Sequence, residues 1–331
     1  ALLSGGLDST ITATLANTRI SGLRTYCAGA RGEERDDFAF AAAVAELLGT
    51  THREAVIDEA GFAARWRWMV ERQGVPLSTP NEVAIHEVAS ALRADGCVVT
   101  ISGEGADELF AGYEGPMDAV WQAVSSGVED GGGFQLISNA WVRSDAKATL
   151  LSAEWLTRIE RDDWLVQHYR EVFRECAAAS GPGVAAHLRM LQRINLAGLL
   201  QRLDSATMLA SVEGRTPFAD VEVAALARRM TIEAMYASPE EAPDAAVRTK
   251  LALRSAFADM VPRAVLLRPK ASFPLPFRGW MQEVGTEVRR SDFVRSLVRP
   301  EVLETVTADP GTNWWLAWPL FNLALWSSVL S

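Results

Sequence analysis

Ala1, Leu2 and Leu3 lead directly into Ser4, Gly5, Gly6, Leu7, Asp8 and Ser9, and this junction limits the fold more than any other stretch of the chain. Three apolar residues suit a buried strand, the glycine pair suits a tight turn, and Thr10, Ile11, Ala13 and Leu15 suit a helix that starts at Ser9. Backbone N–H groups at such a helix start point into the turn and favour an anion, and two glycines let the backbone come close to a phosphate. Asp8 by itself repels a phosphate. It makes sense where a divalent cation bridges carboxylate and phosphate oxygens. The junction therefore reads as a nucleotide pyrophosphate site built from backbone and metal. The same six residues also fit an ordinary strand–turn–helix connection.

A second segment repeats the arrangement. The β-branched run from Cys97 through Val98, Val99, Thr100 and Ile101 to Ser102 predicts a buried strand over 97–102. It ends in Gly103, Glu104, Gly105, Ala106, Asp107 and Glu108, then Leu109, Phe110, Ala111, Gly112 and Tyr113. In open α/β sheets ligands sit beyond the carboxyl ends of the strands, so two such ends, each carrying an acid, suit one metal–nucleotide site. Taken alone, the second stretch equally suits a solvated loop in which Asp107 caps a helix.

Strand-like runs at 1–4, 24–30, 51–57 and 97–102 alternate with helical patterns at 36–48 and 82–93. That alternation predicts an α/β fold, a doubly wound, mostly parallel sheet over about 1–115. Over 116–331 the β signal fades, and stretches at 149–179, 183–209 and 239–260 read as helices of a mainly helical part. Gly131, Gly132 and Gly133 read as a flexible surface loop, and Gly181, Pro182 and Gly183 as a turn. The tryptophan-rich C-terminal stretch, interrupted by Pro319 and Asn322, reads as a core helix.

The two glycine turns together resemble the synthetase domain of the asparagine synthetase family, ATP pyrophosphatases of the PP-loop type. The resemblance runs to the end of the chain. Val44, Ala45, Gly49, Thr50, Thr51 and His52 match the family's second βα unit. Arg202 and Asp204, with Val212, Glu213, Arg215, Pro217, Phe218 and Asp220, resemble its central helical motif. Lys250, Leu251, Leu253 and Arg254, then Arg268, Pro269, Lys270, Phe273, Pro276 and Trp280, resemble its C-terminal motif, and Phe321, Asn322 and Trp326 fit its ending. β-lactam synthetases and lasso-peptide cyclases share most of these motifs.

The resemblance implies an ATP-dependent, AMP-forming ligase that turns a carboxylate into an acyl-adenylate, expels pyrophosphate and lets ammonia or an amine displace AMP. It assigns Ser4, Gly5, Gly6 and Ser9 to the pyrophosphate and Asp8 and Asp107 to Mg2+. Leu2, Leu3, Cys27, Ala28 and Gly29 would lie near adenine, with Ser102 and Gly103 also at the nucleotide. Lys270 would neutralise the α-phosphate and leaving group. Glu104 would take a proton from the attacking amine. The asparagine-forming branch has glutamate at this position and the β-lactam-forming branch tyrosine, so Glu104 leans away from β-lactam formation. Residue 1 already lies inside the first strand, whereas family members usually carry an N-terminal glutaminase domain with a cysteine nucleophile. No such segment matches here, so the chain alone is not expected to hydrolyse glutamine, and a separate glutaminase domain or subunit is a candidate partner. The substrates expected are a small carboxylate and an amine, with aspartate and ammonia the first pair to consider.

Composition narrows the classes. A net charge of −10 without a basic stripe argues against nucleic acid. Cys27, Cys97 and Cys176 form no disulfide framework or metal spacing and suit a reducing, cytoplasmic compartment. No uninterrupted apolar run approaches the ~20 residues a membrane span needs. Of 32 basic residues only Lys147, Lys250 and Lys270 are lysines, so each is worth attention where a compact ammonium is required; a chance surface position stays open for Lys250. Asp37, crowded by Glu33, Glu34 and Asp36, reads as a solvated helix start. Asp204, Glu213 and Arg215 read as a helix and its exit, with buried ion pairing and ligand contact both open. The four histidines show no ligand spacing and read as packing or surface residues.

Overall fold

Short strands pair in parallel, and among the described ones only that at Arg24–Gly29 is buried along most of its length; Val98 and Val99 are exposed, so the stretch at 97–102 is not the buried strand its β-branched run suggests. The computed structural model describes residues 1–31, 37–243, 245–270 and 275–330. Strand β1 (Arg24–Gly29) pairs in parallel with β2 (Thr51–Val56), in a register from Arg24 opposite Thr51 to Gly29 opposite Val56. Strand β3 (Val99–Ile101) pairs in parallel with β4 (Glu213–Arg215). The stretch expected as a strand at 1–4 makes a single parallel bridge, Leu2 to Tyr26. Its backbone is tied on both sides: Leu3 N–H donates to the Tyr26 carbonyl at 2.8 Å, and Leu2 N–H to the Ile101 carbonyl at 2.9 Å.

Helices dominate the rest, and the described residues fall into two units. The first comprises Ala1–Ile57, Ala84–Glu129 and Cys176–Leu275. Its helix Leu7–Asn17 begins two residues before the expected start at Ser9. Helices Asp37–Leu48 and Asn81–Ala94 match the patterns at 36–48 and 82–93. The expected helix at 183–209 forms as Val184–Met190, a π-turn at Leu191–Asn195 and Leu196–Met208, after a turn in which Gly181 and Gly183 have φ near +80°. Among the described residues of the expected helix at 239–260 only Leu251–Ala256 coils, because the preceding stretch is engaged in an antiparallel bridge between Tyr236 and Thr249.

The second unit comprises Asp58–Val83, Asp130–Glu175 and Pro276–Ser331. Its core is aromatic: Trp66 stacks on Trp318 at 4.1 Å and meets Phe321 edge-on at 4.5 Å. Trp318 and Phe321 belong to the helix Trp314–Leu330, which runs through Pro319, and Asn322 accepts from Trp66 Nε1 at 2.8 Å. Gly131, Gly132 and Gly133 correct the sequence reading, since they form the first turn of the helix Gly131–Asn139 instead of a surface loop. Asp130 caps that helix by accepting from Gly133 N–H. A side chain on Gly131 would strike the Phe173 ring, and one on Gly132 the Arg170 backbone, so close helix contact selects glycine here. Among the described residues no helix is long and apolar enough to cross a membrane.

Burial also sets an acid sensitivity. His187, on Val184–Met190, is 3% exposed, and burial pushes its imidazole from 6.5 down to about 4. Between those values the unfolded chain binds the proton and the folded chain does not, so the contribution of His187 to stability falls by about 3 kcal/mol as pH drops from 6.5 to 4. Burial raises the Glu108 carboxyl to about 7 and works in the opposite sense over much of this range, so the loss is expected in the difference between urea unfolding of the parent and of His187→Gln.

Candidate active site

The turn after residues 1–3 is closed by its own side chains. Ser4 N–H donates to Ser9 Oγ at 3.2 Å, and the Ser9 hydroxyl donates to the Gly6 carbonyl at 3.2 Å. Gly5 has φ +67°, and any Cβ there would meet the Phe40 backbone. Gly6 is the N-cap of Leu7–Asn17 and provides no side-chain cap, so the first backbone donors of this helix remain for an anion. Arg268 braces the turn, donating to the Ser4 carbonyl at 3.0 Å and to Asp37 Oδ1 at 2.6 Å while lying over the Phe40 ring. Asp37 is therefore buried and ion-paired, which corrects its reading as a solvated helix start.

The turn after β3 lies against it. A Cβ on Gly103 would sit 2.9 Å from Asp8 Cβ and from Ser9 N, so only glycine fits between the two loops. Ser102 is buried, and its Oγ accepts from Glu104 N–H at 3.2 Å. Gly105, φ +95°, starts the short helix Ala106–Leu109, which carries Asp107. Ala111 has φ +53°, a left-handed position that glycine would take at no cost. Gly112 lies directly against Asp107 and the Lys250 side chain, leaving no room for a Cβ.

Two lysines meet the two acids. Lys250 Nζ lies 2.5 Å from Asp8 Oδ2 and 2.6 Å from Asp107 Oδ1, and Lys270 Nζ lies 2.8 Å from Asp107 Oδ2. Burial pushes the Asp107 carboxyl up, but the ammonium groups of Lys250 and Lys270 outweigh it and hold the group down at about 2. Burial opposes the Lys270 charge too, yet Asp107, Asp8 and Glu104 hold this ammonium above its ordinary range. Beside them Arg202 donates to Glu104 Oε1 at 2.5 Å. The Tyr113 hydroxyl donates to Glu108, whose carboxyl burial raises to about 7 against that hydrogen bond.

The structure thus brings together Ser4, Gly5, Gly6, Asp8, Ser9, Ser102, Gly103, Glu104, Asp107 and Lys270. Leu2, Leu3, Cys27, Ala28 and Gly29 lie in the adjoining backbone: Leu2 bridges to Tyr26, next to Cys27 on β1. Lys250, Arg202 and Gly112 complete the cluster; each lies in a motif singled out in the sequence, and Lys250 also stands out as one of three lysines, but the sequence assigns none of them a role there. Asp204 lies exposed on the helix Leu196–Met208, and Glu213 and Arg215, on β4 at the exit of that helix, form an ion pair that is exposed and not buried.

Two carboxylates are a sparse metal set. Among the described residues no group of three or more His, Cys, Asp or Glu side chains is placed for a metal ion. Asp8 Oδ1 is buried and has no hydrogen-bond partner among the described residues. An oxygen of this kind beside a second carboxylate fits Mg2+, which takes one or two protein acids and completes its shell with substrate phosphates and water.

The asparagine synthase family model matches residues 1–328, and the chain belongs to that family. A Mycobacterium tuberculosis protein, provisionally named a glutamine-hydrolysing asparagine synthetase, is 31% identical over 306 residues, covering 85% of this chain and 45% of the relative. The glutamine-hydrolysing asparagine synthetase 1 of Bacillus subtilis is 24% identical over 369 residues, covering 99% of this chain and 55% of the relative. The chain spans about half the length of these curated relatives.

Proposed function

We propose that this chain carries out ATP-dependent amide-bond formation: a carboxylate attacks the α-phosphate of ATP, pyrophosphate leaves, and ammonia or an amine displaces AMP from the acyl-adenylate. The observation that carries the reading is the convergence of Asp8, Asp107, Lys250 and Lys270 beside an uncapped helix start at Gly6. We also read the hydrogen bonds linking β1, residues 1–3, β3 and β4 as one parallel sheet of the PP-loop type, with the doubly wound arrangement the family implies.

Ser4, Gly5, Gly6 and Ser9 would cradle the pyrophosphate through backbone donors and hydroxyls. Leu2, Leu3, Cys27, Ala28 and Gly29 would line the adenine side, with Ser102 and Gly103 closing the opposite one. Asp8 and Asp107 would hold Mg2+, which when bound neutralises charge on the departing phosphates. Lys250 and Lys270 supply positive charge for the α-phosphate and the leaving group, where charge grows in the transition state. Glu104, held by Arg202, is the base for the attacking amine. The glutamine-hydrolysing names of the relatives suggest that a glutaminase part supplies the ammonia.

Purified protein given ATP, Mg2+ and a panel of acids, from aspartate to peptide carboxylates, is expected to release pyrophosphate only when a suitable acid is present. Glu104→Gln is expected to slow amide formation about 100-fold while leaving acid-dependent ATP–pyrophosphate exchange nearly intact. Silence across the whole panel overturns the ligase reading. Equal loss of both steps removes Glu104 from the base role.

A further inference from the structure

Lys250 reaches Asp8 and Asp107 from a left-handed backbone position, φ +53°, that an L residue holds only when its surroundings enforce it. The enforcement is a short two-stranded clasp. Ala237 N–H donates to the Arg248 carbonyl at 2.9 Å, Leu251 N–H donates to the Met235 carbonyl at 3.0 Å, and Tyr236 bridges to Thr249 between them. Both sides of the clasp are tied to one carboxylate. The buried Tyr236 hydroxyl donates to Asp118 Oδ1 at 2.6 Å, and the Arg248 guanidinium donates to Asp118 Oδ2. Arg248 also pairs with Glu114 at 3.1 Å, one turn earlier on the helix Glu114–Ser125. That helix starts just after Gly112, which lies against Asp107 and Lys250.

We propose that Asp118 is a positioning residue: by gripping Tyr236 on one side of the clasp and Arg248 on the other, it fixes the backbone from which the Lys250 ammonium reaches the site of Asp8 and Asp107. Asp118 touches neither acid and acts only through the backbone that presents Lys250. The catalytic consequence rests on the ligase reading given above, whereas the placement of Lys250 does not. A wholly structural role would loosen the first unit without singling out Lys250.

The chain's three lysines make the test direct, because protein labelled with 15N-lysine gives one amide and one Nζ signal from each of Lys147, Lys250 and Lys270. Lys147→Arg and Lys270→Arg assign them. In Asp118→Asn the Lys250 signals are expected to move while those of Lys147 stay. kcat for acid-dependent pyrophosphate release is expected to fall about tenfold or more, with KM for the acid little changed. Tyr236→Phe, which removes a single hydroxyl, is expected to move the Lys250 signals the same way by less, and it decides the question if Asp118→Asn does not fold. Lys250 signals at their wild-type positions in a folded variant overturn the proposal. If wild-type protein releases no pyrophosphate with any acid yet Lys250 still shifts in the variants, the clasp stands and only the ligase reading falls.

Discussion

Lys270→Ala is expected to lower acid-dependent pyrophosphate release about 1,000-fold while leaving the thermal midpoint almost unchanged. Magnitudes of this order follow from removing one preorganised charge aimed at a developing anion. The stability side follows from the partner that remains: Asp107 keeps Lys250 at 2.6 Å after Lys270 is gone. Lys270→Arg is expected to restore little activity, because a planar guanidinium does not occupy the place of a compact ammonium. Steady-state kinetics beside a thermal melt check both halves. A variant that turns over normally contradicts the role given to Lys270.

Asp107→Asn is expected to cost both activity and stability, the latter by about 3 kcal/mol. Among the described residues Asp107 is the one carboxylate in contact with both Lys250 and Lys270, and the Lys250 side chain is only 4% exposed. Without Asp107, Lys250 keeps Asp8 alone, and an incompletely matched buried ammonium carries the full cost of desolvation. Adding Lys250→Met should recover much of the stability and none of the activity, since removing both members of a buried pair is cheaper than removing one. Urea unfolding of the two single variants and the double variant measures the coupling. Additive losses would mean that the pair is not what holds this region.

What the sequence disclosed was local. Ser4–Ser9 and Ser102–Asp107 announce themselves because glycine turns that feed helix starts have chemistry legible within six residues. Lys250 does not, since it meets Asp8 across 242 positions and reaches it only through a clasp that no periodicity reports. Its Thr249 and Arg248 neighbours read as the middle of a helix, and the bridge to Tyr236 overrides that propensity. Asp37 was misread for a related reason: nearby acids suggested a solvated helix start, while Arg268, 231 residues away, buries and pairs it. At Gly131 and Gly132 the local preference for a loop loses to the contact with Phe173 and Arg170. β4 was missed because Glu213, Gly214 and Arg215 carry no apolar alternation, and only pairing with β3 extends them.

The most direct measurement is a crystal structure with Mn2+ in place of Mg2+ and a non-cleavable α,β-methylene analogue of ATP. The anomalous manganese peak is expected within about 2.2 Å of carboxylate oxygens of both Asp8 and Asp107, with Lys250 and Lys270 turned to the phosphates. A nucleotide bound elsewhere, or a manganese peak that touches neither acid while Lys250 stays between them, would contradict the proposed site.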